Sequence, residues 1–477
     1  TTTNVYDIVG RPIARVDPLG NRASQTYDSR GNPIEAIDPL GNVRTTVYDA
    51  VSRPVAAVDP NGARTTTVYD SGSRPVATIN PLNERNTNVF DSSNRVIATV
   101  DPMGNRNTNV FDAVGNQVAQ VNPLGQRVTT LYDAANRRVA VIDALGYPTT
   151  TVYDPTGRAA AVVNAQGHRH TTTYDAAGRP VASTNPLGQS STTAYDAAGR
   201  PVARLDPLGT PTTNVYDAAD RQIATVDPLG QRNTTVYDAA GRTVASVNAL
   251  GHATTFVYDA AGRRIEMMDA RGAVMTTFYD AAGRPQAAVD ALSNRTTLGY
   301  DAAGRRIAVT NALGYTTTTV YDLAGRTAAA VDALGNRITF GYDAAGRQTS
   351  QTNPLGHCTT SVYDAAGRLG ATITPLGSPT TFGYDYAGRP VSRMDANGHV
   401  TTMVYDEVGA TIAEVNASGQ RTTSVFDAAG RRIGMLDANG GRNTYMHDAA
   451  GRIVRHLDPL GRATTFGYDA AGRQTSI

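Results

Sequence analysis

Lysine is missing altogether: all 43 basic residues among the 477 are arginine, set against 42 acidic residues. The resulting net charge of +1 leaves no bulk electrostatic reason to expect nucleic acid or an anionic membrane as partner. A guanidinium pairs with carboxylates as a planar fork, which suits a lattice of Asp–Arg contacts; genomic codon bias accounts for the arginine equally well. A single cysteine, Cys358, excludes an intramolecular disulfide, so packing and hydrogen bonds must hold the fold. No run of about 18 apolar residues and no charged-then-apolar leader is visible, so neither a membrane span nor a signal peptide is read. The chain opens on Thr1 and stops at Ile477 part-way through a unit, which reads as a mature product or an excerpt of a longer chain.

What the chain does contain is one unit repeated. Tyr195-Asp196-Ala197-Ala198-Gly199-Arg200 opens a unit and Asp206-Pro207-Leu208-Gly209 divides it; the next unit starts at Tyr216-Asp217. The Asp after the aromatic recurs every 21 residues from Asp7 to Asp469, giving 23 units over residues 1–477 without an insertion or deletion. Such periodicity overrides the ordinary expectation of about three globular domains for this length.

Comparing the units shows what each position requires. Gly10 and its equivalents give way only to Ser52, Ser73, Asn94, Asn136 and Asp220, and Gly20 and its equivalents only to Asn83 and Ser293. Gly, Asn and Asp share a tolerance of positive φ, so these positions are expected in the left-handed region. Asp first, Pro second and Gly fourth describe a type I turn closed by a left-handed residue, a common hairpin connection. The segments between turns, such as Arg11–Val16 and Thr45–Tyr48, are rich in Thr, Val, Ile and Tyr and read as strands. Four residues of Asp-Ala-Ala-Gly cannot nucleate a helix.

The expected fold is therefore all-β. Two antiparallel strands per unit, about 46 in all, would form one continuous ribbon roughly 220 Å long in its hydrogen-bonding direction, and strand twist must coil it into a spiral or tube. A parallel β-solenoid with 21 residues per coil is the alternative. Alternation places Thr3 and Val5 on one face and Asn4 and Tyr6 on the other, so the aromatics form a file. Tyr147, Tyr315 and Tyr386 fall outside it, in turns. Apolar residues at Ile13 and Val16 break alternation, which calls for a bulge or for burial on both faces. The small residue at Ala14 would permit close approach of another layer.

These units resemble the YD-repeat, or Rhs, family, whose repeat carries Tyr-Asp-x-x-Gly-Arg; Tyr237–Arg242 and Tyr468–Arg473 match it intact. The resemblance covers the chain from end to end. It implies a long spiralling antiparallel ribbon, which in bacterial toxin complexes, polymorphic toxins and teneurins builds a hollow shell. Shell-forming members also have plug domains, a self-cleaving region and a variable C-terminal toxin, none of which is recognisable here. Units of one length favour identical neighbour relations instead, hence a near-uniform helix.

No catalytic, cofactor-binding or metal-binding residue is assigned, and the chain is not read as an enzyme. Asp7 and Asp17 recur as turn residues, whereas catalysis needs one site whose groups differ in environment. Arg11 recurs in 20 of 23 units, and its expected partner is a turn Asp in the same or an adjacent spiral layer. His168 and His170 share a strand face by alternation, a weak metal signal. Asn233, Asn294 and Asn416 head N-glycosylation sequons, and Thr316–Thr319 is a threonine tract open to O-linked sugar. The reading is a structural protein forming an extracellular or cell-surface filament or tube, through self-association or continuation of the chain. A toxin-encapsulating shell wall and a surface adhesin or carbohydrate-binding module are the alternatives.

Overall fold

A computed structural model describes residues 2–477. Each unit is a pair of strands: β1 (Thr3–Tyr6), β2 (Pro12–Val16) and β3 (Arg22–Tyr27) set the pattern, and 47 strands follow one another in chain order. That is one more than two per unit, because the strand of residues 463–468 is interrupted at Phe466. Every pairing is antiparallel and joins sequence neighbours, which removes the parallel solenoid. No helix is present among the described residues.

Both turns have the expected chemistry. In the first corner the Gly10 amide donates to Asp7 O at 3.0 Å and the Asp7 amide to Arg11 O at 2.9 Å, with Gly10 at φ +81°. The second corner repeats this at Asp17, Gly20 and Asn21. The seven residues that replace a corner glycine are also the described non-glycine residues with positive φ, between 58° and 65°.

A register shift at every first corner settles how Ile13 and Val16 are both accommodated. Val5 pairs with Ala14 but Tyr6 with Pro12, so Ile13 is the extra residue of a β-bulge. The ribbon is a single sheet, and its fully buried side chains are small: Ala56, Ala77, Ala98 and their equivalents. The expected approach of another layer over these alanines does not occur, since strands pack substantially only on their sequence neighbours. Ala56 is covered from within the sheet, lying between Val47 and Thr66 on the flanking strands.

The ribbon meets itself edge to edge. The Asn61 amide donates to Asp280 Oδ2 and that of Gln166 to Asp385 Oδ2, both across 219 residues. Arg326 reaches Met103 and Arg389 reaches Gln166, both across 223. At their positions in the unit, both spacings set each unit against the one eleven further on. The Tyr147 ring packs tilted against that of Tyr386, twelve units later, with ring centroids 4.9 Å apart. Each second corner thus sits in the notch between two first corners of the next turn. About 22 strands make one turn, which at ~4.8 Å per strand gives a tube roughly 35 Å across between backbones.

Candidate interaction surface

The ribbon has two edges, one built from first corners and one from second corners. In the first corner Asp7 Oδ1 accepts the amides of Val9 at 3.0 Å and Arg11 at 2.8 Å, while Oδ2 accepts Arg11 Nε at 2.7 Å. The Arg11 amide, together with its guanidinium, holds the Asp7 carboxyl below the usual carboxylate range. The guanidinium then lies over Tyr27 of the following unit, 4.6 Å from the ring centroid, and the Tyr27 hydroxyl donates back to Pro12 O at 2.8 Å. Further along, Arg389 Nη1 donates to Asp406 O of the next unit at 2.9 Å. The arginine file therefore ties neighbouring units along the ribbon, with its Asp partner in the same corner. Spacing within one unit could not reveal the Tyr contact, which joins residues 16 apart that pairing alone brings together.

Second corners use the residue after the glycine as a lock. Asp17 Oδ1 accepts the Leu19 and Asn21 amides, and Oδ2 accepts Asn21 Nδ2 at 2.9 Å. At four Asn-headed corners the fourth residue on is an acceptor: Asn80 donates to Glu84, Asn122 to Gln126, Asn185 to Gln189 and Asn416 to Gln420; at Asn164, Asn248, Asn311 and Asn353 a His or Tyr stands there instead. This matched exchange is visible in the sequence as Asn followed four residues on by Glu or Gln. Where this side-chain bond forms, donor and acceptor are complementary, because Oδ1 is already committed to two backbone amides.

Other candidate residues are dispersed. His168 lies in the second corner just before the strand Arg169–Tyr174, and His170 is exposed within that strand; among the described residues no three His, Cys, Asp or Glu side chains gather as a metal set. Asn416 heads a corner and donates to Gln420 Oε1, Asn294 donates to Asp290 Oδ2, and Asn233 is exposed in a strand. Cys358 is half-buried. Tyr147 and Tyr386 do lie at corners, and they serve the contact between turns.

A single antiparallel ribbon, coiled so that one hairpin edge stacks on the other, defines a structural repeat protein of the spiral-wall class. A model described as RHS Repeat matches ten segments, residues 6–43 and nine more between 111 and 477, and the chain belongs to that family. Its fold is similar to a chain of the Photorhabdus luminescens Tc holotoxin pore carrying the TccC3 D651A mutation (TM-score 0.63, 15% identity, 100% of this chain and 35% of that one). It is also similar to a chain in a TcdB2-TccC3-TEV crystal structure (TM-score 0.53, 14% identity, 99% and 35%). The chain spans about a third of the length of these solved chains. No curated protein sequence matches it.

Proposed function

We propose that this chain is a wall-former without catalytic activity: a segment of a uniform-bore tube or filament outside the cell or on its surface. The observation that carries the reading is the constant offset between turns. The same pair of unit positions meets across 223 residues at Met103–Arg326 and again at Gln166–Arg389, three units further along. A tapering wall would change that number as its radius changed. Electron cryo-microscopy of the isolated chain is expected to give hollow two-turn cylinders of one diameter; closed domes or solid particles would reject it.

A second reading, the wall of a toxin-enclosing shell, draws support from the chain-long similarity to Tc toxin structures. It predicts a lumen that retains a co-expressed polypeptide fused after Ile477 in a protease-resistant state. Surface location would also leave Asn233 open to a glycan, and intact mass of source material equal to the bare chain would count against that.

A further inference from the structure

Four of the 23 tyrosines stand outside the aromatic file: Tyr147, Tyr315, Tyr386 and Tyr445. Two of these departures from the repeat land on one another. Tyr147 takes the lock position of a second corner, where Asn21, Gln126 and Gln189 stand in other units. Tyr386 takes the tip of a first corner, where most units carry alanine. Their ring centroids are 4.9 Å apart with the planes tilted by 36°.

Both rings are carried on fixed backbone. Asp143 Oδ1 accepts the Leu145 and Tyr147 amides, and Asp385 Oδ1 accepts those of Ala387 and Arg389. The contact between turns is also pinned on either side of the pair. Gln126 Nε2 donates to Asp364 O at 3.3 Å on one side, and Gln166 exchanges hydrogen bonds with Asp385 and Arg389 on the other.

File tyrosines are held differently. Tyr153 and Tyr384 lie under the guanidinium groups of Arg137 and Arg368, and their hydroxyls donate to Arg138 O and Leu369 O. A cation on the ring face opposes withdrawal of an electron from that ring. Neighbours in the file also stand two strands apart, ~9.6 Å, too far for their ring carbons to bond. Among the described residues no guanidinium covers Tyr147 or Tyr386, and neither hydroxyl is hydrogen-bonded to the protein. Tyr386 is 61% exposed, so a solvent-borne oxidant reaches it.

We propose that Tyr147 and Tyr386 are an oxidative cross-linking site at which a dityrosine bond staples one turn of the tube to the next. The co-reactant is a peroxide-driven one-electron oxidant of the haem peroxidase class. Each phenol gives up one electron and one proton, and the two radicals join at ring carbons ortho to the oxygens. The hydrogens on the joined carbons then move to the oxygens and restore both phenols. Hydrogen peroxide takes up the two electrons and two protons and leaves as two waters. The site depends on the contact between turns and not on what the tube encloses. The bond closes a loop of about eleven units, which constrains the unfolded chain.

The test treats the dilute whole chain with horseradish peroxidase and one equivalent of hydrogen peroxide. Intact mass is expected to fall by two hydrogens, dityrosine fluorescence to appear, and peptide mapping to join the Tyr147 peptide to the Tyr386 peptide within one chain. Tyr147→Phe and Tyr386→Phe should each lower the dityrosine yield about tenfold or more, since proximity supplies the rate. Tyr315→Phe should leave it unchanged. Circular dichroism matching the parent shows that the variants fold. The oxidised parent should unfold at higher urea than the untreated chain, and oxidised Tyr147→Phe should not. Links found mainly between chains or between file tyrosines, full yield in either Phe variant of the pair, or no dityrosine at all would overturn the site. Such a failure leaves the tube seen by electron microscopy as it was, so it is separable from failure of the wall reading.

Discussion

Glu84 Oε1 stands 3.2 Å from Nη1 of Arg305, an ion pair between the fourth unit and the fifteenth. Glu84 also accepts from Asn80 within its own corner, so one side chain locks a turn and joins two layers. Glu84→Gln keeps the corner acceptor, as in the Asn122–Gln126 corner, and loses the charge facing Arg305. Because Arg305 keeps its own Asp301, the expected loss is about 1 kcal/mol rather than that of a fully buried pair. Urea denaturation of Glu84→Gln, Arg305→Gln and the double variant should give a coupling of at least ~0.5 kcal/mol; additive losses would show that the pair does not join the layers.

Gly199 sits at φ +84° in the corner, where a β-carbon is strained. Gly199→Val should cost about 1–2 kcal/mol, whereas Gly199→Asn should cost much less, because Asn136 occupies the equivalent position at φ 58°. Thermal melts that rank the two the other way would contradict the left-handed requirement.

Arg263 bonds Asp259 through Nε at 2.7 Å and covers the Tyr279 ring with its centre 4.7 Å from the centroid. Arg263→Lys keeps the charge but loses the fork and the flat stack, and about 0.5–1 kcal/mol is expected to go with them. The same exchange in Arg179 and Arg347 should add nearly linearly, since each has its own Asp and its own ring and their units touch neither one another nor that of Arg263. Equilibrium unfolding of the single, double and triple variants checks the slope.

Acid should weaken the ribbon through its corners. At Asp7 and Asp196 the folded carboxyl lies below the ordinary value, chiefly because the backbone amide of the following arginine donates to it. A folded value below the unfolded one, about 3.9, gives stability that is present above that pH and is lost as pH falls through the folded value. Denaturation midpoints should be level from pH 7 to about 5 and decline below about 4. A midpoint unchanged down to about pH 2 would show that the corner carboxylates do not contribute.

Removing residues 196–216 deletes one whole unit and leaves every strand with an equivalent neighbour. Glu84 would then face the corner now occupied by Arg326, so the tube should survive. Removing residues 196–215 instead slips the register by one and sends each side chain of the altered strand to the other face. Far-ultraviolet circular dichroism and electron microscopy should show a folded tube in the first case and local loss of strand in the second.

Much of this molecule is legible along the chain because its contacts are local. Gly10 and Asn136 revealed a left-handed position by sharing it, and Ile13 with Val16 revealed a bulge by breaking alternation. The Asn80–Glu84 exchange is written in the sequence too, but donor and acceptor matching becomes evident only from the structure, where Oδ1 of the corner is occupied by two backbone amides. The Ala14 position differs from the expectation for a related reason: its small size answers to the side chains of adjacent strands, Val5 and Ser24, rather than to an outside layer.

By itself, then, the sequence determined the unit: two strands, two left-handed corners and a spacing that permits only neighbour pairing. Only the tertiary structure decided that eleven units complete a turn, and that Met103 meets Arg326 and Tyr147 meets Tyr386. Hydrogen-bonded turns and strand alternation are set by residues a few positions apart, so they are written in the repeat. Curvature is the sum of a small twist at each of many strand pairs, and no single unit carries that sum.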